Sequence, residues 1–143
     1  MNKHIRLIPA LALGVAVLSI PTLATAATTI NVVDQAPLVA RGAGALVSVE
    51  VTCDPSFGSG SHLFANVSLV QRVGNSTTNC SGFISDGPIN CDGTPQTFQV
   101  LVTASGKVFR KGPAIAQASE TVCDPSFFLC ESAQVTEEIQ LVR

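Results

Sequence analysis

Strict alternation of apolar and polar residues runs through most of this chain and leaves it little choice but β-structure. In ALVSVEVTC, Val47, Val49, Val51 and Cys53 fall on one side while Ser48, Glu50 and Thr52 fall on the other. The same period sets Leu63, Ala65, Val67 and Leu69 against Phe64, Asn66, Ser68 and Val70, and Phe98, Val100 and Val102 against Gln99, Leu101 and Thr103. Ala133, Val135, Ile139 and Leu141 mark one side of the last segment. A strand sends successive side chains to opposite faces, so this spacing gives each segment one dry face and one wet one. Beyond residue 26 no stretch keeps the three-and-four spacing of a helix.

Clusters of Gly, Ser, Asn, Asp and Pro punctuate these runs at residues 42–44, 54–61, 74–79, 85–90, 92–95, 105–106 and 111–113, which is turn chemistry at sandwich spacing. Seven strands are expected, over residues 28–34, 44–53, 62–73, 80–84, 96–104, 108–122 (interrupted near Gly112) and 130–142. The expected fold is an all-β, immunoglobulin-like two-sheet sandwich, although the chain has no tryptophan for the usual central position. A small β-barrel is the alternative.

The start of the chain reads differently. Lys3 and Arg6 precede an apolar run from Leu7 to Ile20, and Ala24-Thr25-Ala26 forms a small-residue cleavage site; together they describe a secretory signal peptide over residues 1–26. As a membrane span the run is too short, is broken by Pro9 and lacks a charged stop. A bacterial lipid anchor would need a cysteine directly after the cleavage site, and the first cysteine is Cys53. The expectation is a single domain over residues 27–143, secreted to the extracellular space or the cell envelope, with no transmembrane segment. Six basic residues against ten acidic ones give this part a net charge of −4. Nucleic-acid binding needs clustered positive charge, and the one cluster in sequence, Lys107, Arg110 and Lys111, reads as the solvated face of a hairpin.

All five cysteines lie beyond residue 26, and in an oxidising compartment they are expected to pair and leave one over. Cys123 and Cys130 bracket the short hairpin DPSFFL. In a sandwich the second and fifth strands are antiparallel neighbours, which brings Cys53 towards Cys91 and leaves Cys80 as a free thiol able to crosslink two copies. Cys80–Cys91, across a short Gly/Pro-rich loop, is the alternative pairing.

The stretch CDPSF occurs twice, at Cys53–Phe57 and Cys123–Phe127, with unrelated flanks. Asp followed by Pro suits a type I turn, so the repeat reads as one turn chemistry used twice. In a sandwich both copies emerge at the same end. Phe57, Phe127 and Phe128 would then form a recognition patch, unless they fold back as plugs of the core.

Chemistry is sparse. His62 is the only histidine beyond the signal, and GSGSH is not a nucleophile elbow. The carboxylates Asp54, Asp86, Asp92, Asp124, Glu131, Glu137 and Glu138 fall mostly in turns and at edges; Asp54, Asp124 and Glu131 lack the dense alternation of a calcium loop. No catalytic residue, metal set or cofactor is expected. The reading is a non-catalytic domain that binds a macromolecule at the cell surface or outside the cell through the loops 54–61 and 124–129.

The segments ALVSVEVTC, SLVQRVG, CDGTPQTFQVLV and FRKGPAIAQAS, with the cysteine-bracketed DPSFFL, resemble a group of small secreted actinobacterial proteins with one immunoglobulin-like domain. That resemblance implies the pairs Cys53–Cys91 and Cys123–Cys130, and Cys80 departs from the pattern. A looser similarity, in loop architecture alone, is to the neocarzinostatin-type apoproteins. It implies the alternative function, carriage of an apolar small molecule in a cleft.

Overall fold

The computed structural model describes residues 27–143; the expected signal peptide lies outside the described residues. The first sheet is built on β3 (Gly44–Thr52), whose alternation buries Ala45, Val47, Val49 and Val51 completely. β1 (Thr29–Val32) pairs antiparallel with one edge of β3, and β6 (Gln96–Thr103) pairs along the other. The second sheet runs in the order β2 (Gln35–Val39), β8 (Cys130–Val142), β7 (Gly112–Cys123), β4 (Gly58–Val73) and β5 (Ser76–Cys91). Within it β2 lies parallel to β8, and the other neighbours are antiparallel.

This is an immunoglobulin-like two-sheet sandwich. It stays open: β5 packs beside β6, but β6 pairs only with β3 among the described residues. Between the sheets, the valines of β3 and β6 meet Leu63, Val67 and Leu69 of β4, the alanines 114, 116 and 118 of β7, and Ile139 and Leu141 of β8 in one core. With no tryptophan available, valine and alanine fill the centre and two phenylalanines, Phe57 and Phe109, close the ends.

Among the described residues there are eight strands where seven were expected, and the differences have physical causes. The strand expected at 28–34 ends at Val32, and an unexpected strand, β2, follows at Gln35–Val39, because the chain changes sheets at Val33-Asp34. The Val33 N–H donates to the Ser48 carbonyl of β3 at 3.0 Å, while the Asp34 carbonyl accepts from the Gln140 N–H of β8 at 2.7 Å. The short strand expected at 80–84 lies inside the sixteen-residue β5. β5 is an edge strand whose ladder bonds, among the described residues, come from β4 alone, so its many polar residues need not alternate. Residues 108–111 are not strand; Phe109 turns into the core there and β7 begins at Gly112.

Cys53 bonds to Cys91, with Cα atoms 5.1 Å apart, and so ties the end of the first sheet's central strand to the edge of the second sheet. Cys123 and Cys130 face each other across the β7–β8 ladder and are bonded to each other. Cys80 remains a thiol.

Candidate binding surface

Both CDPSF copies fold the same way at first. The Phe57 N–H donates to the Asp54 carbonyl at 3.1 Å, and the Phe127 N–H donates to the Asp124 carbonyl at 3.0 Å. Each is a four-residue turn with Pro at its second position, where its fixed backbone angle is already correct. The Asp side chains close the turns. Asp54 accepts the Ser56 N–H at 2.7 Å; Asp124 accepts the Ser126 hydroxyl and, at 3.0 Å, the Leu129 N–H. These bonds, from the Ser56 N–H above all in one copy and the Ser126 hydroxyl in the other, hold both carboxyls below the usual carboxylate range. The two turns are also neighbours in space, since a Cβ on Gly60 would lie 3.6 Å from Pro125.

The phenylalanines then part company. After Phe57 the chain reverses through Gly58, at φ 72°, and the ring enters the core with 4% of its surface exposed. Phe57 is therefore a plug and not part of a recognition patch, which corrects the three-phenylalanine expectation. In the second copy Phe128 stands where Gly58 stands in the first, and the positive φ falls on Phe127 itself, at 59°. Phe127 is 53% exposed, Phe128 92% and Leu129 51%.

This tip is braced from several sides. The Asp124 N–H donates to the Leu129 carbonyl at 2.9 Å across the disulfide-closed loop. The Phe127 ring stacks on His62 of β4, with centroids 4.5 Å apart and planes 16° from parallel, and lies 6.4 Å from Phe64. Phe64 in turn borders a shallow hollow of about 600 Å³ on the outer face of the second sheet, shared with Phe83, Asn66, Ser119, Thr121 and Gln134. An aromatic strip thus leads from Phe127 past His62 and Phe64 of β4 to Phe83 of β5. Phe64 and Phe83 lay outside the expected site, whereas Leu129 fell in the expected loop 124–129 without being named for the patch. Phe64 carries a signal, since a phenylalanine on the wet side of an alternating strand needs a reason to be there.

The remaining candidates are held elsewhere. The buried Ser61 hydroxyl, beside His62, donates towards the Phe57 and Gly58 carbonyls, each at 3.2 Å. Glu131 accepts the Thr28 hydroxyl at 2.9 Å. Among the described residues no three His, Cys, Asp or Glu side chains stand close enough to share a metal ion. Cys80 sits opposite Leu69 in the β4–β5 ladder, half-buried against the core, and burial pushes its thiol up.

Glu120 was not singled out in the sequence, yet it is the most perturbed acid. It lies in phase with the inward alanines of β7, opposite Ala65 and Ala133, and is 2% exposed. Neither carboxyl oxygen has a partner among the described residues, and burial pushes it up to about 8.

No protein-family model matches this chain, and no curated protein does. Among solved structures, the sporulation control protein Spo0M of Bacillus subtilis is similar over 82% of this chain and 50% of its own, at 11% identity and a TM-score of 0.41. The chain spans half of that protein's length, and a likeness this slight carries no argument.

Proposed function

We propose that this domain is a non-catalytic binding module, secreted or loosely held at the cell envelope, which engages a protein partner through its hairpin tip. The observation that carries the reading is the run Phe127, Phe128, Leu129: three consecutive large apolar side chains, each more than half exposed, on a loop closed by Cys123–Cys130. Contiguous apolar exposure of this kind is uncommon on monomers unless it is used. A rigid aromatic anchor loses little freedom when it enters a partner's pocket, so less of the binding energy is spent on ordering. Secretion is supported by the two disulfides, which persist in oxidising surroundings. No helix among the described residues is long and apolar enough to cross a membrane. A second reading, carriage of an apolar small molecule, rests on the hollow between Phe64 and Phe83.

The test is capture from the producer's own envelope extract and culture fluid on immobilised domain, comparing wild type with the double variant Phe127→Ser/Phe128→Ser. The expected result is a protein retained by wild type and weakened about tenfold or more in the variant, with thermal stability preserved. Equal retention by both chains would remove the tip from the function. A small molecule that copurifies and is released on denaturation would favour the carrier reading instead.

A further inference from the structure

The end of the sandwich remote from the hairpin tip has a different character. β7 starts there at Gly112 and reaches Cys123 at the tip, so the two ends lie roughly 36 Å apart along an extended strand. Four of the six basic residues beyond residue 26 meet at this end: Arg41, Arg110, Lys111 and Arg143 border one cleft of about 800 Å³ over Leu38 and Val108. Among the described residues no acidic side chain lines it. The four side chains form a positive surplus on a domain whose net charge is negative.

Two loops fix the backbone from which Arg41, Arg110 and Lys111 project. Ala40, Arg41 and Gly42 have φ of 47°, 60° and 90°, three successive left-handed residues of which two carry a Cβ, a backbone that is kept only where its surroundings enforce it. The enforcement is visible. The Phe109 N–H donates to the Gly42 carbonyl at 2.8 Å, and a Cβ on Gly42 would stand 2.2 Å from the Phe109 carbonyl oxygen, so only glycine fits. On the other loop the buried amide of Gln71 grips Arg110 at both main-chain atoms. Its Oε1 accepts the Arg110 N–H at 2.8 Å, and its Nε2 donates to the Arg110 carbonyl at 2.7 Å and the Pro113 carbonyl at 3.3 Å. A buried glutamine spent on fixing one exposed arginine, facing a strained loop that presents another, is the construction of a site and not of a merely solvated surface.

We propose that this cleft binds a phosphate ester with an apolar body, its head held by Arg41, Arg110, Lys111 and Arg143 and its body lying on Leu38 and Val108. Guanidinium forks match phosphate oxygens two at a time, and the apolar floor gives the rest of such a ligand a surface that a free inorganic ion would not use.

Calorimetric titration of the domain with dodecyl phosphate below its micelle concentration tests the proposal. The expected result is saturable one-to-one binding that weakens with added salt, about tenfold loss in Arg41→Gln/Arg110→Gln, and no change in Lys107→Gln, which removes one cation outside the cleft. Inorganic phosphate should bind at least about tenfold more weakly than dodecyl phosphate. Absence of saturable binding to a wild-type chain of normal thermal stability would overturn the proposal, as would equal binding by the double variant or equal weakening by Lys107→Gln. Binding to phosphatidylglycerol vesicles without binding to the monomeric ester would also overturn it, in favour of a membrane surface.

Discussion

The imidazole of His62 lies flat against the ring of Phe127, 4.5 Å from centroid to centroid, and joins the rigid strand β4 to an otherwise exposed hairpin tip. Stacked aromatic pairs contribute about 0.5–1.5 kcal/mol beyond the area they bury. His62→Ala should therefore leave global stability nearly unchanged and loosen the tip. Amide exchange checks this: residues 127–129 should exchange faster in the variant while the β7–β8 ladder keeps its protection, and identical tip exchange would show that the stack does not brace the loop.

Phe57 and Phe128 should respond oppositely to truncation. Phe57→Ala empties a buried plug at the disulfide end of the core and should cost about 3–5 kcal/mol in denaturant unfolding. Phe128→Ala removes a ring that touches little and should stay within about 0.5 kcal/mol of wild type. A large loss for Phe128→Ala would mean that the tip packs more closely than its 92% exposure indicates.

Glu120 should make the domain less stable in mild alkali. Its carboxyl has an ordinary value of 4.5 and is raised to about 8 in the folded protein, so between those pH values the folded state holds a proton that the unfolded chain has released. The contribution of this carboxyl to stability is then fully present below about pH 4.5 and is lost as pH rises towards about 8, a loss on the order of a few kcal/mol. Glu120→Gln should abolish the decline. Thermal melts of both chains at the two ends of this window provide the measurement, and parallel pH profiles would mean that the carboxyl is solvated.

The two disulfides should differ in what they contribute. Cys53–Cys91 spans 38 residues and Cys123–Cys130 spans 7, so loop-closure entropy gives the first about 4 kcal/mol and the second about 2 kcal/mol. Replacing each pair by alanines and comparing unfolding midpoints should rank them in that order; the short one matters more for holding the tip than for holding the fold.

Cys80 should react slowly with iodoacetamide near neutral pH, because burial against the core both hides the sulfur and raises its thiol, which lowers the thiolate fraction. Mass spectrometry of a timed alkylation, with the unfolded chain as reference, reads the protection directly. Modification as fast as in the unfolded chain would restore Cys80 as a crosslinking site.

The sandwich was legible because its core strands obey one rule without interruption: in β3 and β4 the residues on the inward phase are the buried ones. β5 was not, since an edge strand can carry Ser, Thr and Asn on both phases and still complete its ladder on one side. The turn chemistry of CDPSF was readable, but the fate of each phenylalanine hung on the next residue, Gly58 or Phe128. Glu120 announces itself in AIAQASETVC, in phase with Ala114, Ala116, Ala118 and Val122. The cationic cleft does not: Arg41, Arg110 and Arg143 are far apart in sequence, and only the topology brings them together.

The parallel pairing of β2 with β8, Gln35 to Gln140 through Pro37 to Val142, also determines how the domain bears load. Tension applied through the two ends of the chain pulls these strands past each other along their length, so their ladder is loaded in shear and its bonds resist together instead of parting one by one. A module tugged between a point before β1 and a point after β8 would therefore meet its main resistance at this short seam once β1 has come away from β3, in a patch of backbone remote from both the hairpin tip and the disulfides.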